Sequence, residues 1–303
     1  MPNKKISCHN CGSITNIIKN GTNLRGKQRY LCKNCNKSFI ENTSPFKYLK
    51  ISEYTFKKFV GYMIDDTTME VISRNLGLDI KTIHYYRFIV FKSIENIQDS
   101  IKLNGSILID ETFIPIREKK YRIQKHDNKE TRGLSYNQLC IITMIDLSGA
   151  SVAKATNRAM ALPIHYLENF IDNIGVVNEF IHDGNLRATQ FMNYFKVDKV
   201  NGRKDQTGMY SIDLIDYYHG NLKRYLFKHI GYRLKNIQHY LNFFVYRQNY
   251  LKSAEIFNMR EQNKVKNKMV NDLFEIIKNS EKQIRYVDYL KDEGIKKILD
   301  SVK

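Results

Sequence analysis

Two Cys-x-x-Cys turns, Cys8-His9-Asn10-Cys11 and Cys32-Lys33-Asn34-Cys35, have the residue type and spacing to hold a metal ion. Each turn offers two thiolates, and together they supply the tetrahedral four-sulfur set that zinc prefers. Four of the five cysteines lie in these turns, which in a reducing compartment favours metal over disulfide. His9 reads as a surface residue, and Cys140, alone in an apolar run, as a small core residue.

A second group of candidates is acidic. The run Ser106-Ile107-Leu108-Ile109-Asp110-Glu111-Thr112-Phe113-Ile114-Pro115 is strand-forming, yet it carries a carboxylate in its middle. An ionised Asp is costly to bury unless something binds it, and a divalent metal is the natural partner. The same device recurs in Glu179-Phe180-Ile181-His182-Asp183-Gly184-Asn185, where a short apolar strand ends in Asp and then Gly. Open α/β sheets bind ligands at the carboxyl ends of their strands, and Gly184 lets the backbone approach closely. The competing reading of Asp183 is a cap for a helix over Leu186–Phe195. Further on, Asp213, Asp216 and His219 follow at spacings of three, which stacks them on one helix face, with Lys223 two turns beyond Asp216. Asp213 also suits a capping or dipole role.

Several elements must position these groups. Between the cysteine turns, Arg25-Gly26-Lys27-Gln28-Arg29-Tyr30 reads as a β-ribbon with a cationic edge, either a structural clip or a surface whose Arg25, Lys27 and Arg29 meet DNA. Ser52–Met63 repeats apolar residues at helical spacing. Thr67–Arg87 then reads as a helix-turn-helix: Val71, Ile72, Leu76, Leu78 and Ile83 form a small core, Gly77 allows the turn, and Asp79 caps a second helix. The exposed face of that helix is expected to carry Lys81, Thr82, His84 and Arg87 into a major groove. Helix is expected to continue over Phe88–Leu103. Strands follow at Ser106–Ile116, Leu139–Asp146 and Ser151–Thr156, then a helix over Pro163–Ile174 and a strand into His182. The basic segment Arg117–Tyr136 reads as a long loop that is either solvated or tracks a DNA backbone. Lys196–Met209 reads as polar connection, and His229–Tyr250 as a helix with a core stripe in which His229 and His239 are structural. Beyond Lys252 the chain reads as a charged amphipathic helix, either an accessory arm or a solvated tail.

The 303 residues suffice for two or three domains at roughly 100–200 residues each. With 42% hydrophobic and 12% aromatic residues the chain is not of the disordered class. A net charge of +18, spread along the chain, makes a polyanion the leading partner. No apolar run approaches the ~18–20 residues of a spanning helix and no secretory signal is evident, so a cytoplasmic protein acting at the nucleoid, without a membrane partner, is expected.

In order and motif content the chain resembles insertion-sequence transposases with an N-terminal zinc ribbon and a DDE-type, ribonuclease-H-like catalytic domain. The resemblance spans roughly residues 5–252. It rests on Cys8–Cys35, Ile109-Asp110-Glu111-Thr112-Phe113, His182-Asp183-Gly184, and the block from Ile215 through Leu222-Lys223-Arg224 to Tyr240–Asn249. It implies an α/β fold, a ribonuclease-H-like mixed sheet with flanking helices, preceded by a zinc ribbon (1–44) and a helical helix-turn-helix domain (45–103). The catalytic domain would span 104–252, and a charged helical arm 253–303. The family's third catalytic residue stands seven before the Lys of a Leu-Lys pair, often Glu and sometimes Asn or His. Counted back from Lys223 it is Asp216, an Asp that must bring its helix nearer the metals, with Asp213 and His219 as alternatives. The implied cofactors are structural Zn²⁺ and catalytic Mg²⁺ or Mn²⁺ on Asp110, Asp183 and Asp216, with Lys223 on a phosphate. The implied partners are double-stranded DNA, as element ends and target, and further copies of the chain on that DNA. The alternative is a DNA-binding regulator, or an inactive derivative, that does not cut.

Overall fold

The computed structural model describes residues 6–8, 11, 13–24, 26–40, 46, 49, 51–123, 135–184, 186–205, 211–229, 232–252, 259–280 and 284–300. Three short strands open the chain: β1 (Ile17–Thr22), β2 (Gln28–Cys32) and β3 (Lys37–Ile40), an antiparallel sheet in that order. Its core is Cys8, Tyr30, Cys32 and Phe39, too little apolar surface to hold a module without a staple.

Three helices follow. Ser52 caps α1 (Glu53–Ile64) by accepting from the Thr55 N–H. The second, α2 (Met69–Leu76), ends at Gly77, whose φ of +63° is the left-handed conformation that suits glycine at a helix end. Asp79 then caps α3 (Ile80–Ser93) by accepting from the Lys81 N–H at 2.8 Å. This is the expected helical pair with its turn. The helix stops at Ser93 instead of running to Leu103, because Ile97–Ser100 forms a single turn that delivers the chain into a strand.

That strand, β4 (Leu103–Pro115), is the centre of a five-stranded sheet with β5 (Gln138–Asp146), β6 (Ser151–Arg158), β7 (Ile174–His182) and β8 (Asp198–Asn201). The order across the sheet is β6-β5-β4-β7-β8; the first two pairings are antiparallel and the last two parallel. The protein is therefore a mixed α/β structure. Alternate residues of β4 face opposite sides. Ile107 and Ile109 pack with Tyr166 and Phe170 of α4 (Pro163–Phe170) and Phe191 of α5 (Thr189–Tyr194). Leu108 and Ile114 pack with Leu222 of α6 (Asp213–Lys228) and Leu241 of α7 (Ile237–Lys252).

Three expectations are corrected. The polar stretch after Lys196 contains edge strand β8, which has one apolar residue, Val200, and so no alternation to read. The helix expected from His229 begins only at Ile237, with an intervening turn at Leu234–Asn236. The chain beyond Lys252 is not a solvated tail: α8 (Met259–Asn279) buries Met269, Leu273, Phe274 and Ile277 in the cluster that holds Phe56, Phe59 and Val60 of α1. Two shorter helices, α9 (Tyr286–Lys291) and α10 (Lys296–Asp300), complete the fold. Leu273 is fully buried, so Leu273→Ala should cost about 2–4 kcal/mol, read as a lower urea midpoint; an unchanged midpoint would show that α8 does not pack there. Among the described residues no helix is long and apolar enough to cross a membrane.

Candidate functional site

The four N-terminal cysteines converge. Their sulfur atoms lie within 4.8 Å of one another, with Cys8–Cys35 and Cys11–Cys32 each at 3.6 Å. A tetrahedral ion with ~2.3 Å metal–sulfur bonds needs sulfurs about 3.8 Å apart, so the set fits zinc with almost no rearrangement. Strand β2 places Cys32, and the turn that follows it places Cys35. Lys27 and Arg29 are exposed on the ribbon, and Arg29 donates to Ser38 Oγ at 3.1 Å. Arg25 and His9 lie outside the described residues.

Cys140 is fully buried, as a core residue should be. The acidic cluster lies on the opposite face of the sheet. Asp110 sits mid-β4, directly opposite Thr143 of β5, with its carboxylate toward the amino-terminal half of α6. One ligand atom each from Asp110, Asp216 and His219 lie within 4.8 Å of one another. Asp216 is in the first turn of α6, and His219, one turn on, is buried. Asp213 is exposed at the helix start, where an acid favours the dipole, and is not part of the cluster.

Asp183 is placed differently from expectation. Ile109 of β4 pairs with His182 of β7 in parallel register, so Asp110 continues β4 where Asp183 is the first residue past β7. However, β7 ends at His182 and the chain turns at Gly184, φ +97°, which leaves Asp183 outside the close cluster of three. The positive φ is what calls for a glycine at Gly184; a Cβ there would also stand 2.8 Å from Asn201 Nδ2, the end of a side chain that could turn away. The helical stretch after Asp183 opens with a single turn, Leu186–Ala188, and α5 follows with Ala188 at its N-cap.

The three acids still act on one another. Burial pushes the Asp110 carboxyl up to about 7; the Glu111 backbone N–H opposes this, and the charges of Asp183, Asp216 and Glu111 add to it. His219 is held down at about 4 by burial and by the Lys223 cation, so the imidazole is neutral at pH 7. Thr143 Oγ1 donates to the Asp110 carbonyl at 3.1 Å and lies 2.5 Å from His219 Nε2. With the hydroxyl proton so used, Nε2–H is the donor to Thr143, which leaves the Nδ1 lone pair 3.6 Å from Asp110 Oδ2. A ring nitrogen fixed in this way by a second hydrogen bond is a prepared metal ligand. Ligands ~2.1 Å from one ion and at right angles lie about 3 Å apart, so the cluster closes on a cation with a shift of under about 1 Å.

Two parts of the surroundings were missed in the sequence. Thr143 is the lone polar residue of Ile141-Ile142-Thr143-Met144-Ile145, the signal that singled out Asp110, but its role depends on strand register. Glu111, next to Asp110, faces the other side of the sheet, where it accepts from Tyr166 Oη at 2.5 Å and pairs with Arg187 at 3.3 Å. Arg187 lies four residues past Asp183, so this pair ties the loop after β7 to β4.

Lys223 is exposed on the face of α6 that carries Asp216 and His219, and lines a cavity of about 230 Å³ with Phe113, Arg117 and Phe227. On α3 the expected exposed face is only partly free. Lys81 is exposed and Thr82 half-buried, whereas His84 and Arg87 are half-buried against α7. The Arg87 guanidinium stands over the Tyr240 ring at 5.1 Å and meets His84 Nδ1 at 2.8 Å. Those two side chains are held by packing, so they do not project freely for base contacts. Residues 124–134 of the basic loop lie outside the described residues. Compared with models of known protein families, the chain matches none.

Proposed function

We propose that the protein is a metal-dependent DNA transposase that binds the ends of a mobile element and performs hydrolytic cleavage and strand transfer at Asp110, Asp183 and Asp216. The observation that carries this reading is the meeting of Asp110 of the central strand with Asp216 and neutral His219 of α6, with Asp183 just past the end of the parallel neighbour strand. The strand order with its antiparallel second and third strands supports a ribonuclease-H-like catalytic fold. His219 is added to the expected ligands, and its imidazole moves the donor set from Mg²⁺ toward Mn²⁺.

Bound divalent metal would supply a water of lowered pKa and neutralise charge building on the phosphate oxygens. Asp110, Asp183 and Asp216 would hold the ions, and His219 would complete its side of the site without adding a proton. Lys223 neutralises a phosphate about 10 Å along α6 from Asp216, at ~1.5 Å per residue. Water adds to the scissile phosphorus and a 3′-hydroxyl leaves; that hydroxyl then attacks a phosphodiester of target DNA and expels the target strand's own 3′-oxygen, which takes up the proton, with no covalent protein intermediate. The ribbon, with structural Zn²⁺ and the cations Lys27 and Arg29, and the helical pair, with Lys81, hold the element ends. Further copies of the chain pair those ends on nucleoid DNA in the cytoplasm.

Titration of Mn²⁺ into the zinc-loaded full chain tests the site. Wild type is expected to take up the ion, and Asp216→Asn to bind at least about tenfold more weakly, since one charged ligand is worth more than ~1.4 kcal/mol. Absence of uptake by the wild type would favour the regulator that binds DNA without cutting it.

A further inference from the structure

A second site stands apart from the acidic cluster, where α3 meets the turn before α7 and the C-terminal helix α9. A cavity of about 230 Å³ opens there, lined by His84 and Arg87 of α3, Arg233 and Asn236 of the turn, Tyr240 of α7 and Tyr289 of α9. It is far larger than the ~30 Å³ share of a single water. No carboxylate is among its lining residues, and no ion pair joins Arg87 or Arg233 to an acid among the described residues. The chain thus brings two guanidinium groups and an imidazole together with no carboxylate in the lining; burial and the Arg87 and Arg233 cations depress the His84 pKa, and the charge of Glu70, outside the lining, opposes them.

Arg87 is already ordered. Its guanidinium stacks over Tyr240 at 5.1 Å and Phe91 at 6.0 Å, and its amino group meets His84 Nδ1. A stacked arginine keeps its in-plane N–H donors for a tetrahedral anion and loses little further freedom on binding. Asn236 lies in the wall, and its side-chain oxygen is buried with no hydrogen-bond partner. The same amide carries an NH₂, a further donor in the wall. Arg233 is exposed at the rim, so the cavity is reached from solvent.

We propose that this cavity is a phosphate site, held by Arg87, Arg233 and Asn236, which seats a backbone phosphate of DNA lying along the amino-terminal half of α3. Lys81, one turn before His84, is exposed beside it and extends the cationic track. Of the side chains that a sequence reading takes into a major groove, Arg87 thereby anchors the helix on the backbone, where it fixes register but reads no sequence. The site does not depend on the metal cluster and stands whether or not the chain cuts DNA.

The test compares wild-type full-length protein with Arg233→Gln, a rim substitution compatible with folding, and with Arg87→Gln, over duplexes of several sequences and a range of salt. Loss of one phosphate contact should lower the slope of log K against log salt by about 0.9. The same drop for every sequence is the expected result. Calorimetric titration with inorganic phosphate and with dAMP separates the sources. Uptake of either that Arg233→Gln abolishes, with an unchanged DNA slope, would keep the phosphate site and assign it to a free nucleotide. A sequence-dependent loss of affinity at unchanged slope would overturn the proposal in favour of base contact, and so would no change in either assay.

Discussion

Replacing Asp110 by Asn is expected to make the metal-free protein more stable and, on the proposed function, to abolish metal-dependent cleavage of DNA. Burial, with Asp183 and Asp216 adding like charge, raises the Asp110 carboxyl from 3.8 to about 7. The unfolded chain therefore gives up this proton first, as pH rises past ~4, and the folded chain holds it until about 7. Through that window the folded state binds more protons, so the group's contribution to stability falls as pH rises and levels off above pH 7. A shift of this size corresponds to roughly 4 kcal/mol as an upper limit, at ~1.4 kcal/mol per pKa unit, and to about 2 kcal/mol once the site relaxes. Thermal midpoints of the two proteins in chelator should coincide near pH 4 and separate by several degrees at pH 8, with the Asn variant higher. A variant less stable than wild type at pH 8 would mean that Asp110 is a structural residue. The cost follows if a cation, absent from the chelated protein, is what the three acids are built to meet.

Loss of zinc should have the largest structural effect, confined to the ribbon. Its core is two cysteines and two aromatic rings, whereas a structural zinc site contributes an apparent ~10–16 kcal/mol at neutral pH. Cys32 is fully buried, in the pair at 3.6 Å from Cys11. Cys32→Ser, or exhaustive chelation, should reduce zinc content from one ion per chain to none and abolish amide-exchange protection over 17–40. Protection in β4, β5 and β7 should be unchanged, because the large apolar clusters contain no ribbon residue. Persistent protection in the zinc-free ribbon would show that its sheet does not need the metal. Affinity for DNA should fall with it if Lys27 and Arg29 contact the backbone.

What could be read in advance depended on how local the signal was. Cysteine spacing, the Asp79 cap, Gly77 in its turn and the apolar strands around Asp110 each follow from a few neighbouring residues, and each appears where the sequence places it. Strand β8 was not legible, because Asp198-Lys199-Val200-Asn201 gains its place only by pairing with β7. The choice among Asp213, Asp216 and His219 was likewise closed to periodicity. All three lie near one face of α6, and only the approach of that helix to β4 separates them. His219 looked like a substitute for an acid, yet it stands with Asp216 beside Asp110, one helical turn on, and meets Thr143 of the neighbouring strand. His84 and Arg87 were misjudged as free for a similar reason: what covers them is α7 and α9, far along the chain.

The most direct test of the proposed function is cleavage itself, on a duplex carrying the DNA sequences that flank the gene, with Mn²⁺ and with chelator. Wild-type protein should nick the duplex at the element end, leave a 3′-hydroxyl and join it to a second duplex only when metal is present. Asp110→Asn should bind the same duplex with unchanged affinity and cut it at least about a thousandfold more slowly, a loss of ~4 kcal/mol in transition-state stabilisation. Cleavage retained by Asp110→Asn, or metal-independent cleavage by the wild type, would contradict the assignment of the site.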